Sequence, residues 1–277
     1  MSQNLPLPVD VISIQSQVVY GCVGNSAAVP TLEHYNLTVS SVPTVLLSNR
    51  PHYPTMYGGV IDDQWFAGFL TALKERDVLK SARAIILGYL GSPKQADILA
   101  NFLTEVRRDY PHILIQIDPV LGDVGCGLYV DPNLAKVYRE KLRHLATGMT
   151  PNHFELEYLA DCKINSLEES ITAAKNLLSD TTRWIIATSA APQTWANGEM
   201  KYVIVTADKT IVKTHAFHDV EAYGTGDTFA ASLVAHLLKG HSLEKAAEAA
   251  VERVMTVIQR TGAAKTNEII LFDKDHQ

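Results

Sequence analysis

Gly224-Thr225-Gly226-Asp227 joins a glycine turn to a carboxylate at the point where an apolar helical run begins. Free N–H groups and the positive dipole end of a helix start suit phosphate oxygens and charge developing on them. An aspartate among such donors is placed to take a proton. The same residues also read as a plain turn with an aspartate capping the next helix, since Gly-x-Gly-Asp alone is a weak motif. Phosphoryl transfer asks for in-line positioning, neutralisation of oxygen charge and a base beside the attacking hydroxyl, and the motif could meet the last two.

Two further segments carry chemistry-bearing side chains. Asp118-Pro119-Val120-Leu121-Gly122-Asp123 sets a carboxylate at the end of an apolar run, ahead of the loop Gly125-Cys126-Gly127-Leu128-Tyr129. Asp118 either ends a strand and caps a turn or belongs to a hard-cation and triphosphate environment, where Mg²⁺ takes few protein oxygens. In Thr150-Pro151-Asn152-His153-Phe154-Glu155, Thr150 is expected to cap a helix with Pro151 at its first position. Asn152 and Glu155 share a helix face and could hold metal-bound water, or Glu155 is merely exposed; His153 is expected at the surface. Cys126 reads as an incidental small residue. No Gly-x-x-x-x-Gly-Lys-Ser/Thr run occurs, which excludes a P-loop kinase, and no Gly-x-Gly-x-x-Gly follows the first strand.

Strands are expected at Val9–Gln15, Thr38–Val45, Ala84–Tyr89, Ile113–Asp118 and Trp184–Thr188, with a hairpin formed by Tyr202–Thr206 and Thr210–Thr214. Helices are expected at Ser26–Tyr35, Asp62–Leu79, Pro93–Arg108, Asp131–Ala146, from Thr150, at Ile171–Leu178 behind a Ser166 capping box, and at Thr228–Lys239 and Leu243–Arg260. Trp65, Phe66, Phe69, Leu70 and Leu73 fall at helical spacing and are expected in the core. Such alternation predicts an α/β fold whose mainly parallel sheet is covered by helices on both faces. Ligands then bind beyond the carboxyl ends of the strands, a rim expected to gather Ser16, Tyr89, Asp118, Asn152, Thr188 and Asp227.

The 277 residues are read as one domain, 1–277, with Met1–Pro8 a flexible tail. Composition is globular: 47% hydrophobic, 19% charged. A net charge of −6 without a Lys/Arg block argues against nucleic acid as partner, and no apolar run is long enough to span a membrane. Three widely spaced cysteines and no secretory signal point to the cytoplasm.

Taken together, Ser13-Ile14-Gln15-Ser16-Gln17-Val18-Val19-Tyr20-Gly21 with Val23-Gly24-Asn25, Val45-Leu46-Leu47-Ser48-Asn49, Gly88-Tyr89, the Asp118 and Thr150 segments and Gly224-Thr225-Gly226-Asp227 resemble the ribokinase-like superfamily, and within it the pyridoxal kinases. The resemblance runs over nearly the whole chain. It implies a three-layer ribokinase-like fold and ATP-dependent phosphorylation of the 5′-hydroxyl of pyridoxal, pyridoxine or pyridoxamine. Ser16 would then bond the pyridine end of the vitamer, Val23, Leu47, His52 and Tyr89 would wall its ring, and Asp227 would be the base. Asp118, Thr150 and Thr188 would lie near the phosphates, and Gly226 with Thr214, His215, Ala216 and Phe217 beside the nucleotide. Glu155, Asp118, Asn152 and the carbonyl of Tyr129 would serve Mg²⁺. The N–H groups of Gly224, Thr225, Gly226 and Asp227 would stabilise the moving phosphoryl group. The loop Leu121–Tyr129 would close over ATP.

The resemblance further implies a homodimer and leaves room for a monovalent cation such as K⁺. Ser48-Asn49-Arg50-Pro51-His52 departs from the His-Thr-Gly version of animal pyridoxal kinases. Hydroxymethylpyrimidine kinase activity is the nearest alternative, although those enzymes often carry Cys where Asp227 stands. A non-catalytic vitamer-binding protein is the other.

Overall fold

Apolar runs too short to shield themselves alternate along the chain with helices that bear one apolar stripe, so each strand can be covered only by packing helices over it. In this computed structural model, which describes residues 7–218 and 220–273, the strands are β1 (Val11–Val18), β2 (Val39–Leu47), β3 (Gly58–Val60), β4 (Ala84–Leu87), β5 (Leu114–Ile117), β6 (Gly122–Asp123), β7 (Gly127–Leu128), β8 (Gly148–Met149), β9 (Trp184–Ala187), β10 (Glu199–Thr206) and β11 (Thr210–Ala216). The helices are α1 (Asn25–His34), α2 (Asp63–Glu75), α3 (Val78–Ser81), α4 (Pro93–Asp109), α5 (Pro132–Glu140), α6 (His153–Ala160), α7 (Leu167–Asn176), α8 (Thr225–Leu238) and α9 (Leu243–Ala263).

Among the described residues nine strands form one sheet in the order β11-β10-β9-β8-β5-β4-β1-β2-β3, and β6 and β7 pair as a separate ribbon. The six strands from β9 to β2 are parallel. Side chains along them alternate between two cores. Ile12, Ile85, Ile115 and Ile185 pack on the face covered by α2 to α7, while Val11, Ile86 and Ile186 pack under α1, α8 and α9. Helix α8 is buried continuously from Thr228 to Ala235 because the sheet lies on one side and α9 on another. From β1 the chain runs outward to β2 and β3, then returns to β4 on the opposite side, so a topological switch point opens between β1 and β4.

The three-layer expectation holds, with local differences. Strand β1 runs past Gln15 to Val18 because a bulge between Gln15 and Gln17 absorbs Ser16 and lets pairing with β2 resume. The helix from Asp62 stops at Glu75, Asp77 takes a left-handed conformation, and α3 follows as a separate turn. Trp65 is 67% exposed and Phe69 37%, so they leave the core that Phe66 and Leu70 enter; helical spacing alone does not say how wide the buried stripe is. Strands β3 and β8 were not anticipated: one has two glycines, and the other is two residues long. Of the expected flexible tail, the first six residues lie outside the described residues; Leu7 and Pro8 are exposed.

Candidate active site

Asp118, Thr150 and Thr188 each stand one residue beyond the ends of β5, β8 and β9, which are neighbours in the sheet. Thr150 is buried; its hydroxyl donates to Asp118 Oδ1 at 3.0 Å and accepts from Gln116 Nε2 at 2.9 Å. The Thr188 N–H donates to the Pro151 carbonyl at 3.0 Å, tying the two strand ends together. Beyond β9 the chain reverses twice, which returns β11 to the direction of the parallel strands. Ala187 pairs with Val203 and Val203 with Val212, so β11 extends four residues past that level to Ala216, about 13 Å. Thr214, His215, Ala216 and Phe217 thus form a wall above this end of the rim. Phe217 is half-exposed, with its ring 6.3 Å from Trp195.

The helix at Asn152 is capped differently from expectation. Asn152, not Thr150, is the N-cap: its Oδ1 accepts the Glu155 N–H at 2.9 Å while Glu155 Oε2 accepts the Asn152 N–H at 2.8 Å. Pro151 keeps the preceding residue out of the helix. Glu155 Oε1 accepts the Leu121 N–H at 3.1 Å, and Asn152 Nδ2 donates to the Gly122 carbonyl at 2.8 Å. The loop Leu121–Tyr129 is thereby fastened to the start of α6, with Tyr129 N–H donating to the Leu121 carbonyl and its side chain half-exposed. His153, expected at the surface, is buried, with its Nε2 3.9 Å from Glu157 Oε1 one helical turn on, because that face of α6 packs against the rest of the protein.

Burial governs the acids here. Asp118 is raised to about 7 by desolvation and then by the negative charge of Asp227, with the Thr150 hydrogen bond opposing. Burial and then the Asp118 charge push Glu155 well above its ordinary range, against the pull of the Asn152 and Leu121 N–H groups. The two buried carboxylates, Asp118 raised by the charge of Asp227 and Glu155 by that of Asp118, with no basic side chain among the causes of either shift, form a donor set that suits a hard cation completed by phosphate oxygens and water. Among the described residues no cluster of three or more His, Cys, Asp or Glu that could hold a metal ion is present.

Asp227 lies at the switch-point end of this array. Helix α8 starts at Thr225, earlier than expected, with Gly224 as a left-handed N-cap at φ 95°; among the described residues no side chain caps it. A Cβ on Gly224 would sit 2.0 Å from the Cys22 carbonyl, so only glycine fits. Gly226 is exposed, and a methyl group there would lie 3.4 Å from Asp118 Oδ2, which brings Asp118 to the first turn of α8. Asp227, half-buried, accepts the Gly24 N–H at 2.8 Å; burial raises its affinity for a proton and that bond lowers it.

On the other half of the rim, Ser16 sits at the β1 bulge with its hydroxyl against Gly24, where a Cβ would meet it at 2.2 Å. Tyr89, two residues past β4, is half-buried, as are Val23 and Leu47 at the ends of the adjoining segments. His52 is exposed and its ring lies 4.5 Å from that of Tyr223, immediately before Gly224. Tyr138, which the sequence does not mark, is fully buried in α5 and donates to the Gly88 carbonyl at 2.6 Å, beside Asp118 and Glu155.

Comparison with known proteins decides the family. The chain is 46% identical over 266 residues to the pyridoxine/pyridoxal/pyridoxamine kinase of Bordetella pertussis, covering 96% of this chain and 94% of that one. It is 33% identical to a pyridoxal kinase of Rubrobacter xylanophilus, over 95% and 91% of the two chains. The chain belongs to the pyridoxal kinase family. The family model of phosphomethylpyrimidine kinase also matches residues 67–270. In three dimensions the pyridoxal kinase of Leishmania donovani in complex with ADP and pyridoxamine superposes with a TM-score of 0.85 at 28% identity, over 95% of this chain and 90% of that one. The fold is therefore the ribokinase-like one that the resemblance implied.

Proposed function

We propose that the protein transfers the γ-phosphoryl group of ATP to the 5′-hydroxyl of pyridoxal, pyridoxine or pyridoxamine. The observation that carries this reading is Asp227: a half-buried carboxylate at an uncapped helix start, held by the Gly24 N–H at the seam between a carboxylate-rich and an aromatic half of the rim. Its raised proton affinity suits it to take the hydroxyl proton as the oxygen attacks. The N–H groups of Gly224, Thr225, Gly226 and Asp227 face the charge that develops on the transferring group, and preorganised donors of this kind need no rearrangement during the reaction.

Ser16, Val23, Leu47, His52 and Tyr89 hold and wall the vitamer, and Thr150, Thr188 and residues 214–217 hold the nucleotide. Asp118 and Glu155, with Asn152 and the Tyr129 carbonyl beside them, would hold Mg²⁺, which supplies charge neutralisation at the phosphates. A monovalent cation such as K⁺ would add to that neutralisation. Closure of the ribbon β6–β7 over the nucleotide excludes water and so protects ATP from hydrolysis. The exposed Leu46, Val60, Trp65 and Phe69 on β2, β3 and α2 support a homodimer in which a second copy covers them; sedimentation would find a dimer, and a monomer at assay concentration would remove this element. Three free cysteines support a cytoplasmic setting.

Purified protein with ATP, Mg²⁺ and each vitamer in turn should release ADP and the phosphorylated product; absence of turnover with all three would sink the proposal. The phosphomethylpyrimidine kinase match favours one second reading, hydroxymethylpyrimidine as acceptor. The same assay with that alcohol tests it, and Asp227 in place of the Cys of those kinases favours the vitamer.

A further inference from the structure

One carboxylate outside the reacting array joins three segments of the vitamer side. Glu268 Oε1 accepts Arg50 Nε at 2.9 Å and the Tyr53 hydroxyl at 2.8 Å, while Oε2 accepts the Cys22 N–H at 3.3 Å. Residue 268 also bridges in parallel to Tyr223. The Arg50 guanidinium lies 3.8 Å from the centre of the Tyr223 ring and 5.0 Å from that of Tyr53, so aromatic faces hold its flat sides. The two charged side chains are only 7% and 12% exposed. Gly21, at φ 97°, brings its backbone so close that a Cβ would lie 2.2 Å from Oε2.

Each joined segment ends at a residue of the proposed chemistry. Cys22 precedes Gly24, whose N–H holds Asp227; Arg50 and Tyr53 flank His52; Tyr223 precedes Gly224. The mount for Glu268 is firm, since Ile269 and Leu271 are buried against Ala27 and Val257, and Arg253 and Arg260 donate to the Leu271 carbonyl at 2.7 and 3.0 Å. The nucleotide-side groups Asp118, Thr150, Glu155 and Thr188 make no hydrogen bond to this cluster among the described residues.

We infer that the Arg50–Glu268 pair is a positioning device for the vitamer half of the site, locking the His52 loop and the Gly24 turn to the entrance of α8. The inference rests on the kinase reading for its kinetic consequence, but not for its structural one. Neutralising Glu268 leaves the Arg50 charge desolvated and unpaired, which loosens the loop. Lysine at position 50 would keep the charge but lose the planar fork and the stacking.

Glu268→Gln keeps the shape of the carboxylate while removing its charge and one of its two acceptor atoms, and Arg50→Lys keeps the cation. In both, KM for pyridoxal is expected to rise about tenfold while KM for ATP stays within about twofold. Hydrogen exchange should quicken in peptides covering 20–24 and 48–57 and remain unchanged in those covering 118–129 and 150–155. Equal rises in both KM values, or no rise in the pyridoxal value, would overturn the inference, because a merely structural pair would affect both halves or neither. Should the wild-type protein phosphorylate no vitamer, the kinase reading fails on its own and exchange decides: quickening confined to 20–24 and 48–57 upholds the lock, and unchanged exchange refutes it.

Discussion

On the half of the rim that we propose holds the nucleotide, Asp118, Thr150 and Thr188 follow directly from neighbouring parallel strands, and the bonds that fix them run between adjacent strand ends. On the half proposed for the vitamer, His52 hangs from a loop whose anchor, Glu268, is 218 residues away from Arg50. The first half inherits its geometry from the sheet, so its cost lies elsewhere, in carboxylates whose burial raises their affinity for protons. The second half depends instead on side-chain contacts between remote segments. A sheet of this type can therefore hold its strand-end groups in place independently of the loop that carries His52.

Asp227 stands where the halves meet, and its removal tests whether they are distinct. Asp227→Asn should lower kcat about 10²- to 10⁴-fold, with both KM values close to wild type, as ADP release would record. Near-normal turnover would place the base elsewhere and dissolve the seam.

Asp118 sharpens the contrast through pH. Its folded-state value of about 7 lies above the unfolded carboxylate value of about 3.9, so the native protein holds an extra proton in the window between them. Stability without Mg²⁺ and nucleotide therefore falls as pH rises from about 4 to about 7, the reverse of a paired carboxylate. Asp118→Asn should be more stable than wild type at pH 8, by a few kcal/mol at most, and show no such gain at pH 4. Turnover should drop about 10²-fold. Urea unfolding at the two pH values checks the sign; an equal difference at both would show that Asp118 does not titrate as described.

Gly224→Ala acts on the vitamer side by shape alone. With φ at 95° and the Cys22 carbonyl 2.0 Å from the new Cβ, the backbone must shift, and stability should fall by roughly 1–3 kcal/mol. A melting temperature equal to wild type would mean that the turn has room to relax.

These two halves also differ in how far the sequence reveals them. Asp118 and Thr188 were legible because a carboxylate or hydroxyl after a short apolar run marks a strand end, and parallel strands share one rim. The Asp227 turn was legible by its glycines, though its true helix start, three residues earlier than expected, depended on how closely Cys22 approaches Gly224. Ser16 falls just outside the strand expected to end at Gln15, because a bulge leaves no periodic signal when a strand continues beyond it. Nothing local marks Glu268 or Tyr138, whose meaning comes from partners in other parts of the chain, and Trp65 and Phe69 obey the helical period without being covered by this chain.

The smallest expected effect separates a cap from a ligand. In Asn152 the amide is engaged at both ends, by the Glu155 N–H and the Gly122 carbonyl, so its chief contribution is to hold Glu155 and the β6–β7 ribbon in place. Asn152→Ala removes both bonds but leaves Glu155 its Asn152 and Leu121 N–H donors. Stability should fall by about 1 kcal/mol, the usual worth of an N-cap. If Asn152 acts only by placing Glu155, KM for ATP rises a few-fold, KM for pyridoxal stays put, and raising the Mg²⁺ concentration restores most of the rate. A loss of kcat that extra Mg²⁺ does not restore would instead make Asn152 a direct partner of the reacting phosphates, and the nucleotide half would then be built from side chains as much as from strand ends.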